Sequence, residues 1–204
     1  MGTEQGKGAF AAVIAAAGLS SRMGNFKPLL PFGESTILGT VIDAFRTAGA
    51  GEIIVVCGHR GEELAEYVRA RGVSPVQNPD YAESGMFESL CCGLAALQSA
   101  PERIFLTPGD VPRISAPLIL RMLQSSAHWA VPLCGKKHGH PVLLTAEAAA
   151  AAAAYRGSDG LRGALHALGA GEEIPWEDAS ILLDADTAEE YQNLLEINRA
   201  SSDR

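Results

Sequence analysis

The chain has 204 residues, 47% hydrophobic and 20% charged, with a formal net charge of −8 at pH 7. That length suffices for one well-buried domain, and the acidic balance argues against a nucleic-acid surface, which carries a basic excess. A small anionic substrate stays open, because a local Arg and Lys can dominate the charge of a pocket.

No apolar run approaches the ~20 residues that a membrane helix needs. Met1 to Lys7 is polar and contains glycine, unlike a signal peptide, so residues 1–8 are expected to be flexible and the protein cytoplasmic. Cys57, Cys91, Cys92 and Cys134 lack the paired spacing of a zinc site and are too sparse for a disulfide framework. They are expected to be buried, reduced thiols.

Phe10 to Ala17 is an apolar run and predicts a buried strand, broken at Gly18 by a polar loop that reaches Pro28. Phe32-Gly33-Glu34 reads as a turn, Ser35 or Thr36 as a cap, and Ile37 to Phe45 as a helix ending near Gly49. Strands follow at Ile53–Cys57 and Val73–Gln77, flanking a helix over 62–71. Pro75 places the second of these strands near an edge. A loop over 78–85 leads to a helix over 86–98, a strand over 103–107 and a helix over 116–125. Trp129 to Leu133 predicts a strand, a further apolar run ends at Leu144, and alanine-rich 146–154 predicts a helix. Ile181 to Leu183 reads as a last strand, and a terminal helix starts near Ala188. Strands alternating with helices specify an α/β fold: a single-domain, doubly wound, mostly parallel sheet of the Rossmann-like kind. Ligands of such sheets bind beyond the carboxyl ends of the strands.

The loop after the first strand carries two cations, Arg22 and Lys27, between Gly18 and Gly24 and two prolines. The glycines allow positive φ and close approach to a ligand, and successive amides can cradle an anion. Arg22 would grip phosphate as a fork and Lys27 as a mobile point charge. The spacing matches neither the P-loop nor the dinucleotide fingerprint, so two solvated cations on an ordinary βα loop form the competing reading.

Asp110 follows an apolar strand directly, where a carboxylate calls for a partner, and Mg²⁺ suits a strand-end Asp near phosphates. Helix capping is the alternative. Asp184 and Asp186, two apart in an extended segment, would point the same way, with Asp186 the favoured metal ligand. Thr187 with Glu190 resembles a capping box. No Ser-His-Asp or Cys-His pattern is evident, as expected where positioning and charge neutralisation do the work.

The stretch A-A-A-G-L-S-S-R-M-G-N-F-K-P-L-L-P (15–31), followed by T-I-L, resembles the signature of molybdenum cofactor cytidylyltransferases. These stand among the nucleotidyltransferases that build the guanine dinucleotide cofactor, sugar nucleotides and methylerythritol cytidyl diphosphate. The likeness continues through G-H-R-G (58–61), N-P-D-Y-A-E-S-G (78–85), F-L-T-P-G-D-V-P (105–112), G-H-P (139–141) and I-L-L-D-A-D-T (181–187). Ala17 to Arg22 follows the cytidylyl rather than the guanylyl pattern, whereas Ala188 departs from the proline common after Asp-Thr.

The resemblance implies CMP transfer from CTP to the terminal phosphate of molybdopterin, with Mg²⁺ as cofactor and a molybdenum hydroxylase as eventual recipient. It implies that the backbone of Ala16, Ala17, Gly18, Leu19 and Ser20, with Ser89, contacts the nucleotide. Arg22 and Lys27 would hold the triphosphate, and Asp110 with Asp184 or Asp186 the metal. Residues 8–112 would form a nucleotide-binding half and 113–199 an acceptor half, with His140, Pro141 and Arg162 facing the acceptor. Transfer from GTP, another phosphorylated acceptor, and a non-catalytic cofactor carrier are the rival readings. Cys134, His138 and His140 have a metal-like spacing, but Lys136 and Lys137 beside them disfavour a bound cation.

Overall fold

The computed structural model describes residues 10–19 and 26–202. Its centre is β1 (Phe10–Ala16), paired in parallel with β4 (Glu52–Cys57) on one side and β6 (Arg103–Pro108) on the other. Beyond β4 lies β5 (Ser74–Gln77), an edge strand as Pro75 requires. Beyond β6 comes β9 (Val142–Thr145), antiparallel to both β6 and β7 (Trp129–Cys134). The far edge is β10 (Glu172–Pro175), parallel to β7, while β8 (Lys137–His138) folds back on β7. Among the described residues these eight strands form one sheet in the order β10-β7-β9-β6-β1-β4-β5, so the expected mostly parallel α/β sheet is observed.

The period-2 alternation of β1 explains the layering. Phe10, Ala12, Ile14 and Ala16 face a core built with α1 (Ile37–Thr47), α2 (Gly61–Ala70) and α4 (Ala116–Met122). Val13 and Ala17 face the opposite core, built with α3 (Met86–Ala95), α5 (Ala146–Ala153) and α6 (Gly160–Ala167). Helices cover both faces, and the winding is double. Thr36 caps α1 by accepting from the Gly39 amide at 3.0 Å.

A third, smaller core matters more for function. Phe32, in the hairpin of β2 (Pro31–Phe32) and β3 (Ser35–Thr36), and Ile37, at the start of α1, pack with Ala185 and Leu194, the latter on α7 (Ala188–Ser202). The Tyr191 hydroxyl donates to the Pro31 carbonyl at 2.6 Å. Thr187 and Glu190 form the expected reciprocal cap, the Thr187 amide donating to Glu190 at 2.7 Å and the Glu190 amide to Thr187 at 3.2 Å. With that work done by Thr187, neither Asp184 nor Asp186 is needed to start the helix.

The expected strand at 181–183 is a 3₁₀ turn, Ala179–Leu182, whose start is capped by Asp178 accepting from the Ser180 amide at 2.9 Å. The edge it would have occupied belongs to β10. The four cysteines are free, as expected, but only Cys57 is fully buried and the other three are half-buried. Burial pushes the Cys57 thiol up to about 12. Among the described residues no helix is long and apolar enough to cross a membrane.

Candidate active site

β1 delivers the chain to the carboxyl end of the sheet, where Ala16 and Ala17 are buried and Leu19 is exposed. Gly18 is not in the positive-φ region that the sequence suggested; positive φ occurs instead at turns such as Gly33 and Gly135. Among the described residues a Cβ at Gly18 would meet nothing within 4 Å. Ser20, Arg22 and Gly24 lie outside the described residues. The chain is described again at Phe26, which is buried, followed by a short 3₁₀ turn Lys27–Leu29. Pro28 inside that turn fixes the local backbone.

Gly58 explains the G-H-R-G motif. Where β4 leaves the sheet beside β1, a Cβ there would lie 2.5 Å from the Ala17 carbonyl oxygen and 2.6 Å from the Tyr81 Cβ. Only glycine fits. The His59 amide then donates to the same carbonyl at 3.3 Å. Arg60 adopts φ 50°, pairs with Glu63, and lays its guanidinium 4.7 Å from the Phe26 ring centre. This packing anchors the far end of the first loop. Gly58→Ala is expected to destabilise the fold by roughly 1–3 kcal/mol and to raise the nucleotide KM, because the shift falls on Ala17. Thermal unfolding and a nucleotide titration check both parts.

β6 delivers Asp110 to the same end of the sheet. The Gly109 amide donates to the Ala15 carbonyl at 2.8 Å, so the pairing of β6 with β1 extends past the strand and fixes where Asp110 emerges. The third core fixes Asp186, since Ala185 next to it is completely buried. Lys27 joins the two: its Nζ donates to Asp110 Oδ2 at 2.9 Å and to Asp186 Oδ1 at 2.5 Å. These partners are 83 and 159 residues away in sequence. Burial opposes the Lys27 charge, but the two carboxylates outweigh it and raise its pKa, so the ammonium is charged at neutral pH.

Asp184 and Asp186, expected to act alike, are placed differently. Asp186 takes Lys27, while Asp184 lines an adjoining cavity of about 450 Å³. Burial first, then the charges of Asp186, Asp110 and Glu190, raise the Asp184 carboxyl above the usual carboxylate range. The cavity is also lined by Asp110, Lys137, His138 and His140, and by apolar Val111, Ile181 and Leu182. Among the described residues the buried Nδ1 of His140 has no hydrogen-bond partner, and burial holds the ring's pKa below the ordinary value against the pull of Asp110. Pro141 is buried behind it.

Two residues expected to contact the substrates have these surroundings. Ser89 is 3% exposed, and its hydroxyl accepts from the Asn78 side-chain amide at 3.0 Å and donates to the Gly85 carbonyl at 3.3 Å. It thereby helps to shape the 78–85 loop. Arg162 stands on the exposed face of α6 and is not among the residues that line the cavity. Lys137 and His138 do line it, although the sequence reading used Lys137 only to disfavour a metal there. The clue was β-hairpin chemistry: Gly135, at φ 62°, turns β7 back into β8 and carries both side chains to the cavity. His138 meets Glu173 at 2.6 Å. Arg113 had no sequence signal; it donates to Ser180 and Asn198, both at 3.3 Å, tying the 3₁₀ turn and α7 to the Asp110 loop.

A divalent cation fits this donor set. Among the described residues no three His, Cys, Asp or Glu side chains form a ready-made metal site. Two carboxylates, Asp110 and Asp186, do share one cationic group, the Lys27 ammonium, and a third acid stands near them. Hard oxygen donors of this number suit Mg²⁺ or Mn²⁺, which complete their shells with water and substrate phosphates.

A lysine and three acids gathered at the carboxyl ends of a parallel sheet, beside an open cavity, make an arrangement suited to nucleotidyl transfer. The fold is that of a nucleotidyl transferase from Methanothermobacter, with a TM-score of 0.82 at 23% identity, covering 94% of this chain and 98% of that one. Residues 12–173 match the MobA-like NTP transferase domain, and the chain belongs to that family of nucleotidyltransferase enzymes. It is 35% identical to the molybdenum cofactor cytidylyltransferase of Escherichia coli strain K12, over 88% of this chain and 92% of that protein. It is also similar to Rv0371c of Mycobacterium tuberculosis H37Rv, at 29% identity and a TM-score of 0.78, covering 92% and 97% of the two chains. Rv0371c has also been solved in complex with manganese.

Proposed function

We propose that this enzyme transfers CMP from CTP to the terminal phosphate of a molybdopterin-type cofactor, with Mg²⁺, in the cytoplasm. The observation that carries the reading is the Lys27–Asp110–Asp186 cluster, assembled from three distant segments beside an open cavity. The choice of CTP and of molybdopterin rests on the likeness to the E. coli cytidylyltransferase. The product passes to a molybdenum hydroxylase.

Residues 8–112 serve as the nucleotide half. Backbone groups of Ala16, Ala17, Gly18, Leu19 and Ser20, with Ser89, contact the nucleotide. Arg22 and Lys27 hold the triphosphate, with Lys27 at the α-phosphate where charge develops. Asp110 and Asp186 hold the Mg²⁺, with Asp184 beside them; bound there, the metal supplies further positive charge to the triphosphate. Residues 113–199 form the acceptor half, in which the His140–Pro141 turn and Lys137 border the acceptor cavity. Arg162, on the exposed side of α6, clamps the acceptor phosphate.

In this reaction an oxygen of the acceptor phosphate forms a bond to the α-phosphorus, and the bond to the β-phosphate oxygen breaks to release pyrophosphate. A phosphate monoester has a second pKa near 6 and is largely ionised at neutral pH. No general base is needed, in keeping with a half-buried His140 whose pKa is held below its ordinary value.

The expected nucleotide order is CTP well above GTP and UTP. A backbone-lined site sized for a pyrimidine excludes guanine, and a buried acceptor facing the cytosine amino group is left unpaired by uracil. Pyrophosphate release from mixed nucleotides with molybdenum cofactor decides it. Equal or better use of GTP overturns the cytidylyl assignment and leaves the family.

A further inference from the structure

One arrangement in the site conflicts with the roles just given to its members. Lys27 is to lie on the α-phosphate while Asp110 and Asp186 face a divalent cation, yet here one ammonium spans both carboxylates. A positive charge within 3 Å of both acids repels a second cation from the same place. We propose that Lys27 is a built-in placeholder: it fills the cation position in the nucleotide-free enzyme and makes divalent-metal binding conditional on the arrival of the triphosphate. The inference rests on the reading of Asp110 and Asp186 as metal ligands.

The local structure supports such an exchange. The backbone of Lys27 is fixed, because Phe26 before it is buried and Pro28 after it sits inside a 3₁₀ turn. Only the side chain has to move, and its flexible four-carbon stem allows that without disturbing the core. Asp110 and Asp186 both bond this ammonium and Asp184 lies within reach of its charge, so its departure removes positive charge from all three acids. A triphosphate offers Lys27 several negative charges at once and draws it off the carboxylates. Nucleotide and metal then favour each other, and the coupling is reciprocal.

The device also protects the reaction. An empty pair of carboxylates would collect free divalent ions, which would then meet the nucleotide in any order. With Lys27 in place the acids stay neutralised until a substrate of the right charge arrives. The fold is stabilised meanwhile, because neither acid stands unpaired at the sheet end.

The test is a Mn²⁺ titration read by electron paramagnetic resonance, with the full chain and no acceptor, so it does not depend on turnover. Without nucleotide, Lys27→Met is expected to bind Mn²⁺ roughly 10- to 100-fold more tightly than wild type. Lys27→Arg keeps the charge and should remain as weak as wild type. Adding Asp110→Asn to Lys27→Met should abolish the gain, which ties it to the carboxylates. Lys27→Gln is the second neutral variant should Lys27→Met melt at a lower temperature. If both neutral variants bind Mn²⁺ no more tightly than wild type, while Asp110→Asn weakens Mn²⁺ in the CTP complex, the placeholder is overturned and the metal ligands stand. If Asp110→Asn changes Mn²⁺ binding in no state, the ligand assignment fails and the placeholder with it.

Discussion

Lys27→Ala should still bind nucleotide but turn over roughly two to three orders of magnitude more slowly, the typical effect of losing one preorganised charge donor at a transition state. The reason lies in where the charge is delivered. Lys27 emerges from a rigid turn at the carboxyl end of β1, and its ammonium is charged at neutral pH, so it meets the α-phosphate without reorganising the backbone. Arg22 would continue to hold the β- and γ-phosphates, which is why KM should change less than kcat. The loss should not be a folding defect. The side chains of Asp110 and Asp186 are 27% and 41% exposed, so water can solvate both once Lys27 is gone. Single-turnover rates with CTP in excess, together with a thermal melt, separate the two. Near wild-type turnover would remove Lys27 from the chemistry.

Asp110→Asn should reduce activity by roughly a hundredfold or more at low Mg²⁺, with partial recovery as Mg²⁺ is raised. The amide keeps the shape of the carboxylate but not its charge, and hard divalent cations prefer charged oxygen donors. The fold should survive, because Asp110 stands at the end of a strand already pinned by the Gly109–Ala15 hydrogen bond, and a part-exposed ion pair contributes at most about 1 kcal/mol. Asp186→Asn should behave similarly, whereas Asp184→Asn should act through the cavity and cost less. Activity measured across a Mg²⁺ series for the three variants ranks them. Full activity of Asp110→Asn at low Mg²⁺ would exclude Asp110 as a ligand.

The placeholder reading makes these predictions consistent. Removing Lys27 tightens metal binding but slows the chemistry, and removing Asp110 loosens the metal while leaving Lys27 with Asp186. Opposite signs on metal affinity, with the same sign on rate, are not what general destabilisation produces.

Sequence alone determined those features whose causes are local. The buried runs of β1, β4 and β6 are apolar apart from Thr107, because a parallel strand covered by helices has no wet face. Pro75 marked an edge, Thr36 and Thr187 marked helix starts, and the separated motifs of the family pointed to Lys27 and Asp110. Each of these is written within a few residues.

The tertiary structure decided the rest. β10, with two glutamates and a proline, carries no strand signal and exists because β7 offers it an edge. Ile181 and Leu182 read as a strand but became a 3₁₀ turn once Asp178 capped it. Asp184 and Asp186 are equivalent in sequence, and only the burial of Ala185 against Phe32 and Leu194 turned one to Lys27 and the other to the cavity. Ser89 takes Asn78, eleven residues before it, as a partner that its own segment does not announce. Local pattern fixes which segments are strands and helices; which side chains meet across 83 or 159 residues depends on the packing of separate cores, and that is settled only when the chain has closed on itself.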